Sequence, residues 1–269
     1  MSYLDEDILE DLKKQMDSGG TTYTDAEFLH FAWLTSEEVY NRLLPYPLKP
    51  IDEPIAWAFV ANYPEVEGLF PYKEYGLSLV CQYKGKVGRY WLSMGLTDDV
   101  AVYFGREIYG FPKKYAEIQF KKKAETIEGS GSRREMQIFS VKADLTGNVN
   151  DSLFTKLIDK YNLNSNDVPN YNFKELLSTS GKSLAYFPRL TACWSKTELH
   201  ETKLGEVKIE LPTHQYDPWN EVKIVKLLGG QYVKVNTVLT AAKNLKKIGL
   251  FRVLKYMPHA FKKYDMRKE

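Results

Sequence analysis

The sequence predicts an α+β fold built on one large, mostly antiparallel sheet, curved or closed, with a few helices packed against it. Three observations lead there. Apolar and β-branched residues fall in many short runs separated by turn residues; no regular strand–helix–strand alternation is present; aromatic residues reach 14%, with 19 tyrosines. Short punctuated runs favour hairpins, and tyrosine favours strands and half-buried surfaces. Without βαβ alternation a doubly wound parallel sheet is not expected. At 269 residues, 43% hydrophobic and 27% charged, the chain can bury one large core. It has no internal repeat, linker or low-complexity stretch, so residues 1–269 read as a single domain.

Residues 4–16 space Leu4, Ile8, Leu9, Leu12 and Met16 as an N-terminal helix that Gly19 and Gly20 stop, within an N-terminal element of residues 1–20. Phe28 to Trp33 reads as a strand, and Ser36 caps a short helix over 37–44. Strands follow from Ile55 to Tyr63, from Gly76 to Tyr83 and from Gly88 to Met94, the last two joined by a hairpin at Lys84-Gly85-Lys86. Thr97 caps a helix with Asp98 and Asp99 in its first turn, and Gly110 ends it. Pro112 opens a strand to Phe120, where a proline costs no ladder bond. Glu125–Glu128 and Met136–Leu145 flank Gly129-Ser-Gly-Ser, read as a hairpin turn. Residues 151–162 form the strongest amphipathic helix. Strands over 171–177, 184–195, 206–211 and 221–235 come next, and Asn236 or Thr237 caps a final helix to about 248. Residues 250–269 are a basic C-terminal tail.

Composition removes several function classes. With 37 basic and 35 acidic residues the net charge is +2, so neither nucleic acid nor an anionic membrane is expected as a partner. No stretch reaches 18 uninterrupted apolar residues, and the acidic N-terminus lacks a signal-peptide pattern. Cys81 and Cys193 read as reduced core residues, and a cytoplasmic location is expected. Gly181-Lys182-Ser183 lacks the earlier glycine of a phosphate loop, since Leu176 stands there. His30, His200, His214 and His259 show no ligand spacing, so no metal is expected. No cofactor signature and no serine or cysteine nucleophile motif is present.

The informative segment is Gly105-Arg-Glu-Ile-Tyr-Gly-Phe-Pro-Lys-Lys114. Gly105-Arg106-Glu107, four residues, then Pro112-Lys113-Lys114 resembles the active-site motif of the acetoacetate decarboxylase family at the same spacing. Leu44-Pro45-Tyr46-Pro47-Leu48, Asp52-Glu53-Pro54, Tyr72-Lys73-Glu74-Tyr75-Gly76 and Pro169-Asn170-Tyr171 extend the resemblance over roughly residues 27–248. The resemblance implies a cone-like β-barrel with flanking helices, a homo-oligomer, and a small keto-acid or ketone substrate. It also implies that Lys113 condenses with the ketone to an imine that serves as electron sink. Glu74 is then the acidic partner of Lys113, and Lys114 its cationic neighbour in the catalytic set.

Such chemistry needs a neutral amine, and an ordinary lysine near 10.4 is neutral in only about 0.04% of molecules at pH 7. Reaching a pKa of about 7 takes roughly 4.6 kcal/mol of bias against the ammonium. A second charge about 7 Å away, at an effective dielectric near 20, supplies about 2.4 kcal/mol, roughly half. Burial among aromatic rings such as Phe111 must supply the rest. Strand alternation places Lys114 with Ala116, Ile118 and Phe120, and Lys113 with Tyr115, Glu117 and Gln119. By pattern alone Lys114 has the more apolar surroundings; the resemblance favours Lys113. Arg106 and Glu107 read as a structural pair or cap. Tyr232, Phe59 and Phe111 are the expected substrate contacts.

The match breaks at two positions. Decarboxylases of the family carry an arginine on an early strand and a second glutamate after the proline-rich segment; here Ala26 and Phe59 stand in those places. An imine remains competent for other work, as in relatives that carry out aldol or dehydration chemistry on 2-oxo acids. The expectation is a lysine-imine lyase acting on a small keto acid or ketone, by decarboxylation or by aldol or dehydration chemistry on a 2-oxo acid; the alternative is a non-catalytic or repurposed barrel that binds an apolar or aromatic small molecule.

Overall fold

The computed structural model describes residues 20–181, 183–249, 252 and 265. The helix expected over 4–16 lies outside them, as does most of the basic tail. Fourteen strands form the body: β1 (Gly20–Leu34), β2 (Ile55–Tyr63), β3 (Glu65–Val66), β4 (Tyr72–Tyr83), β5 (Lys86–Leu96), β6 (Lys113–Tyr115), β7 (Glu117–Lys123), β8 (Thr126–Arg133), β9 (Met136–Asp144), β10 (Asn170–Leu177), β11 (Leu184–Cys193), β12 (Ser195–Glu210), β13 (Lys226–Thr240) and β14 (Lys243–Lys247). Helices α1 (Glu37–Leu43), α2 (Asp99–Phe104) and α3 (Leu153–Tyr161) punctuate them, and a π-turn, Gly105–Tyr109, continues α2.

The hydrogen-bonded order is β14-β11-β10-β5-β4-β2-β1-β13-β12-β9-β8-β7, with β3 on β1 and β6 on β5. Among the described strands only β10–β5 and β5–β6 are parallel. Among the described strands the order is an open path. The expected curvature is present, but a closed barrel is replaced by a sheet that folds back until β7 lies against β2, β4 and β5.

That curl gives the strands two buried faces. β2 is buried almost throughout, so it reads as a continuous apolar run. Ala56, Ala58 and Val60 meet Ile127, Phe139 and Val141 in the core between the layers. Phe59, Ala61 and Tyr63 face the opposite side with Trp91, Met94 and Phe111. The layers pack so closely that a Cβ on Gly129 would stand 2.5 Å from Val60 Cγ1, and one on Gly131 2.5 Å from Tyr75 Cε1. This is why Gly129-Ser-Gly-Ser, expected as a turn, lies inside β8. The turns fall on either side of it, at Ala124 and at Arg134–Glu135, all with positive φ.

Ser36 caps α1 as expected, accepting from Val39 N at 3.3 Å, a contact worth about 1 kcal/mol. The cap of α2 is Asp98, which accepts from Ala101 N at 2.7 Å; Thr97 is diverted to accept from Lys73 N at 3.0 Å. No helix forms over 236–248. β-Branched Val233, Val235, Thr237, Val238 and Thr240 keep the chain extended in β13. Asn236 does not cap; its Oδ1 accepts from Asp25 N across the β1–β13 bulge at 3.0 Å.

Candidate active site

On the second face of β1, β2, β4 and β5 lies a cavity of ≈ 470 Å³. The β5 wall consists of Arg89, Trp91 and Met94. That spacing breaks alternation, and the cause is a bulge. Leu77 pairs with Ser93 but Ser78 with Trp91, so Leu92 is an extra residue in β5, and the pleat beyond it is reset. Met94 is the register partner of Lys113 and Gly95 that of Lys114. The reset pleat therefore puts Lys113 on the cavity side and Lys114 behind it.

Lys113 is reached through the motif before it. Gly110 (φ 81°) ends the π-turn and lets Phe111 N return to Gly105 O at 3.1 Å. Arg106 Nη1 donates to Lys113 O at 3.3 Å, while Glu107 is exposed. The lysine stem crosses the face of Gly105: a Cβ there would stand 2.7 Å from Lys113 Cε and closer still to Cδ. The ammonium end, Nζ, lies 5.4 Å from the Phe111 ring centroid and donates to Glu74 Oε2 at 3.3 Å. Side-chain exposure is 5% for Lys113 and 4% for Glu74.

Glu74 is held by a tyrosine cluster. Tyr72 Oη donates to Tyr23 Oη at 3.3 Å, and its hydroxyl also acts electrostatically on the carboxylate. The rings of Tyr23, Tyr63 and Tyr72 are packed at 4.9 Å centroid spacings. Burial raises the Glu74 pKa, outweighing the opposing pull of Lys113 and Tyr72. Burial also raises the three phenols, with the Glu74 carboxylate adding to the effect. The Cys193 thiol is pushed up to about 12 by burial, which fits an inert core thiol.

Of the residues expected from sequence, Lys113, Glu74, Phe59 and Phe111 come together on this cavity. Phe59 lies edge-on to Trp91 at 5.3 Å, and Ala26 is fully buried in the apolar cluster nearby. Two expectations are corrected. Lys114 does not line the cavity: its Nζ donates to Asp217 Oδ1 at 3.0 Å and Asp265 Oδ1 at 2.6 Å, in a buried network that Arg133 completes by donating to both acids. Tyr232 points into the inter-layer core, donating to Glu27 Oε1 and accepting from Lys122 Nζ, each at 2.7 Å. Its neighbours Gln231 and Val233 face the cavity instead, as period-two alternation requires.

Arg89 and His30 also line the cavity, and sequence reasoning passed over both. The only signal was a basic residue inside the apolar strand run Gly88–Met94. His30 Nδ1 accepts from Trp57 Nε1 at 3.2 Å, leaving Nε2 to carry the proton. Burial, and then the Arg89 charge, lower its pKa to about 3. The unfolded chain, near 6.5, binds that proton first. Stability is therefore fully present above pH 6.5 and is lost as pH falls towards 3, by up to about 1.4 kcal/mol per unit. Urea unfolding from pH 7 to 4 is expected to show His30→Gln with a correspondingly shallower loss than wild type; parallel curves would assign the site no such linkage.

Comparison with known proteins gives a consistent result. The family model "Acetoacetate decarboxylase (ADC)" matches residues 12–248. The chain is 34% identical over 113 residues to an acetoacetate decarboxylase of Streptomyces nogalater, and 35% over 112 residues to acetoacetate decarboxylase 3 of Mesorhizobium japonicum. Each alignment takes in 42% of this chain, and 46% and 43% of those relatives, somewhat under half their length. Among solved structures, the acetoacetate decarboxylase of Legionella pneumophila superposes with a TM-score of 0.75 at 21% identity, over 85% of this chain and 88% of that one. The enduracididine biosynthesis enzyme MppR superposes with a TM-score of 0.69 at 14% identity, over 84% and 88%. These likenesses establish the fold.

Proposed function

This chain belongs to the acetoacetate decarboxylase family, and on that premise we propose that it is a lyase acting on a keto acid or ketone through an imine on Lys113. The observation that carries the reading is a lysine amine buried in an aromatic cavity, with Glu74 as its carboxylate partner at 3.3 Å. In the proposed sequence the neutral amine attacks the substrate carbonyl carbon and a C–N bond forms. The carbonyl oxygen, protonated, leaves as water. Glu74 serves both steps. A carboxyl whose proton affinity is raised by burial takes up the proton that the ammonium must lose, and returns it to the departing hydroxyl. The protonated imine then draws in the electron pair of the bond that breaks next to the former carbonyl.

Decarboxylation of acetoacetate itself finds less support than the imine. Ala26 and Phe59 occupy the places where the resemblance implies an arginine and a glutamate, and both positions are apolar in the structure. Carbon–carbon bond formation or dehydration on a 2-oxo acid uses the same imine and fits the same residues.

Borohydride reduction in the presence of pyruvate, acetoacetate or acetylacetone tests the proposal. One of them is expected to leave a reduced adduct on the peptide bearing Lys113, with Lys113→Ala losing it. An intact, folded protein that traps none of the three would sink the imine and leave the non-catalytic binding barrel as the better account.

A further inference from the structure

The cavity carries a second cation, and its surroundings differ from those of Lys113. Arg89 lies over Trp57, with its guanidinium carbon 4.8 Å from the ring centroid. Nη2 donates to Leu163 O at 2.6 Å. Nε is buried without a hydrogen-bond partner, and among the described residues no carboxylate pairs with the group. Burial alone draws its pKa down, to about 10, so it keeps its charge at neutral pH. A guanidinium offers five donors, and leaving such a group desolvated without a counter-ion is costly. Arginines held only for structure are normally satisfied; this one faces a cavity with donors to spare.

Its neighbours reinforce the same reading. Trp57, on which Arg89 rests, donates to His30 Nδ1, so the neutral imidazole has its Nε2–H left to give. Arg89 and His30 thus bring charge and hydrogen-bond donors to one part of the wall, a set suited to an anion. Arg89 sits opposite Val80, and Met94, the register partner of Lys113, opposite Gly76, so with the bulge discounted they are four residues of β4 apart, about 13 Å of strand at roughly 3.3 Å per residue. Trp91 lies between them on β5, and Phe59, level with Met94 across the sheet, continues the apolar wall.

We propose that Arg89, with His30, is a carboxylate subsite, and that the substrate is an elongated keto acid whose ketone meets Lys113 while a distant carboxylate, across an apolar or aromatic body, meets Arg89. The substrate class rests on the Lys113 imine; the subsite does not. A short acid such as acetoacetate has its carboxylate one carbon from the ketone and does not span the two cations. The guanidinium that the family resemblance places on an early strand is absent at Ala26, and this one enters from a different strand to hold a different part of the substrate.

The test uses methyl ketones with a terminal carboxylate, separated from the ketone by two, five or seven methylenes, each beside its methyl ester. Binding is read by calorimetry on Lys113→Ala, which cannot form the imine, and trapping by borohydride on the wild type. The longer acids are expected to bind at least tenfold more tightly than their esters, and the two-methylene acid to show little such preference. Arg89→Gln in the Lys113→Ala background is expected to erase the preference, so that acid and ester bind alike. Arg89→Lys, which keeps the charge in its surroundings, is expected to retain part of it, and serves if the glutamine variant does not fold. Acid and ester binding alike in the Arg89 protein, or a preference that survives Arg89→Gln, would overturn the subsite. Trapping with no acid preference would refute the subsite and spare the imine; acid preference without any trapping would do the reverse.

Discussion

Replacing Gly105 with alanine is expected to cut trapping and turnover by at least about a hundredfold while leaving the fold in place. The position has φ −60° and ψ −39°, a conformation alanine adopts freely, and alanine in a helical setting is favoured over glycine by about 0.5–1 kcal/mol. Stability should therefore change by no more than about 1 kcal/mol. What cannot persist is the path of the Lys113 stem, because the new Cβ would stand 2.7 Å from Cε. The lysine is flexible and gives way; in doing so it leaves the 3.3 Å contact with Glu74. Circular dichroism and urea midpoints near wild type, with borohydride adducts reduced to background, are the expected pair of results. Full trapping in a folded Gly105→Ala protein would show that this glycine does not set the lysine's position.

Replacing Lys114 with methionine should have the opposite profile. Its ammonium is shared by Asp217 and Asp265, with side-chain exposures of 7%, 2% and 11%. Removing one partner of a buried ion pair typically costs about 3–5 kcal/mol, because the remaining charge is left uncompensated. Arg133 still contacts both acids, which places the expected loss near the lower end, about 3 kcal/mol. Urea unfolding checks the magnitude. Adduct formation per folded molecule should remain, since Lys114 sits behind the strand from the cavity. A Lys114→Met protein of undiminished stability that no longer traps would reverse the roles assigned to the two lysines.

The sequence and the structure agree wherever chemistry is local. Ser36, Gly110 and the Lys84-Gly85 turn act where expected because a cap or a positive φ depends on a few neighbouring atoms. The motif from Gly105 to Lys114 was legible because its spacing is itself the geometry of the turn that aims Lys113. Tyr232 was misplaced because a strand tyrosine carries no mark of which buried face it serves when both faces are apolar. Alternation correctly assigned Lys114 to the side of Ala116 and Ile118; that side is the inter-layer core, closed by Asp217 from a loop about a hundred residues away, a contact no local pattern shows. Arg89 was passed over for the same reason. A single basic residue in an apolar run means little until the absence of a nearby acid can be seen in three dimensions.

The extra residue Leu92 has a consequence beyond its own strand. Two adjacent lysines present a parity problem: a strand can offer only one of them to a given side, and nothing in the dipeptide says which. Here the choice is made by counting in the neighbouring strand. With Leu92 in place, Ser93 turns inward to Asp217 at 3.2 Å, Met94 turns to the cavity, and Lys113 follows its partner. Were β5 one residue shorter at that point, the same Lys-Lys pair would be offered in reverse. Which amine faces the cavity is in that sense a property of register, written in a strand that carries neither lysine.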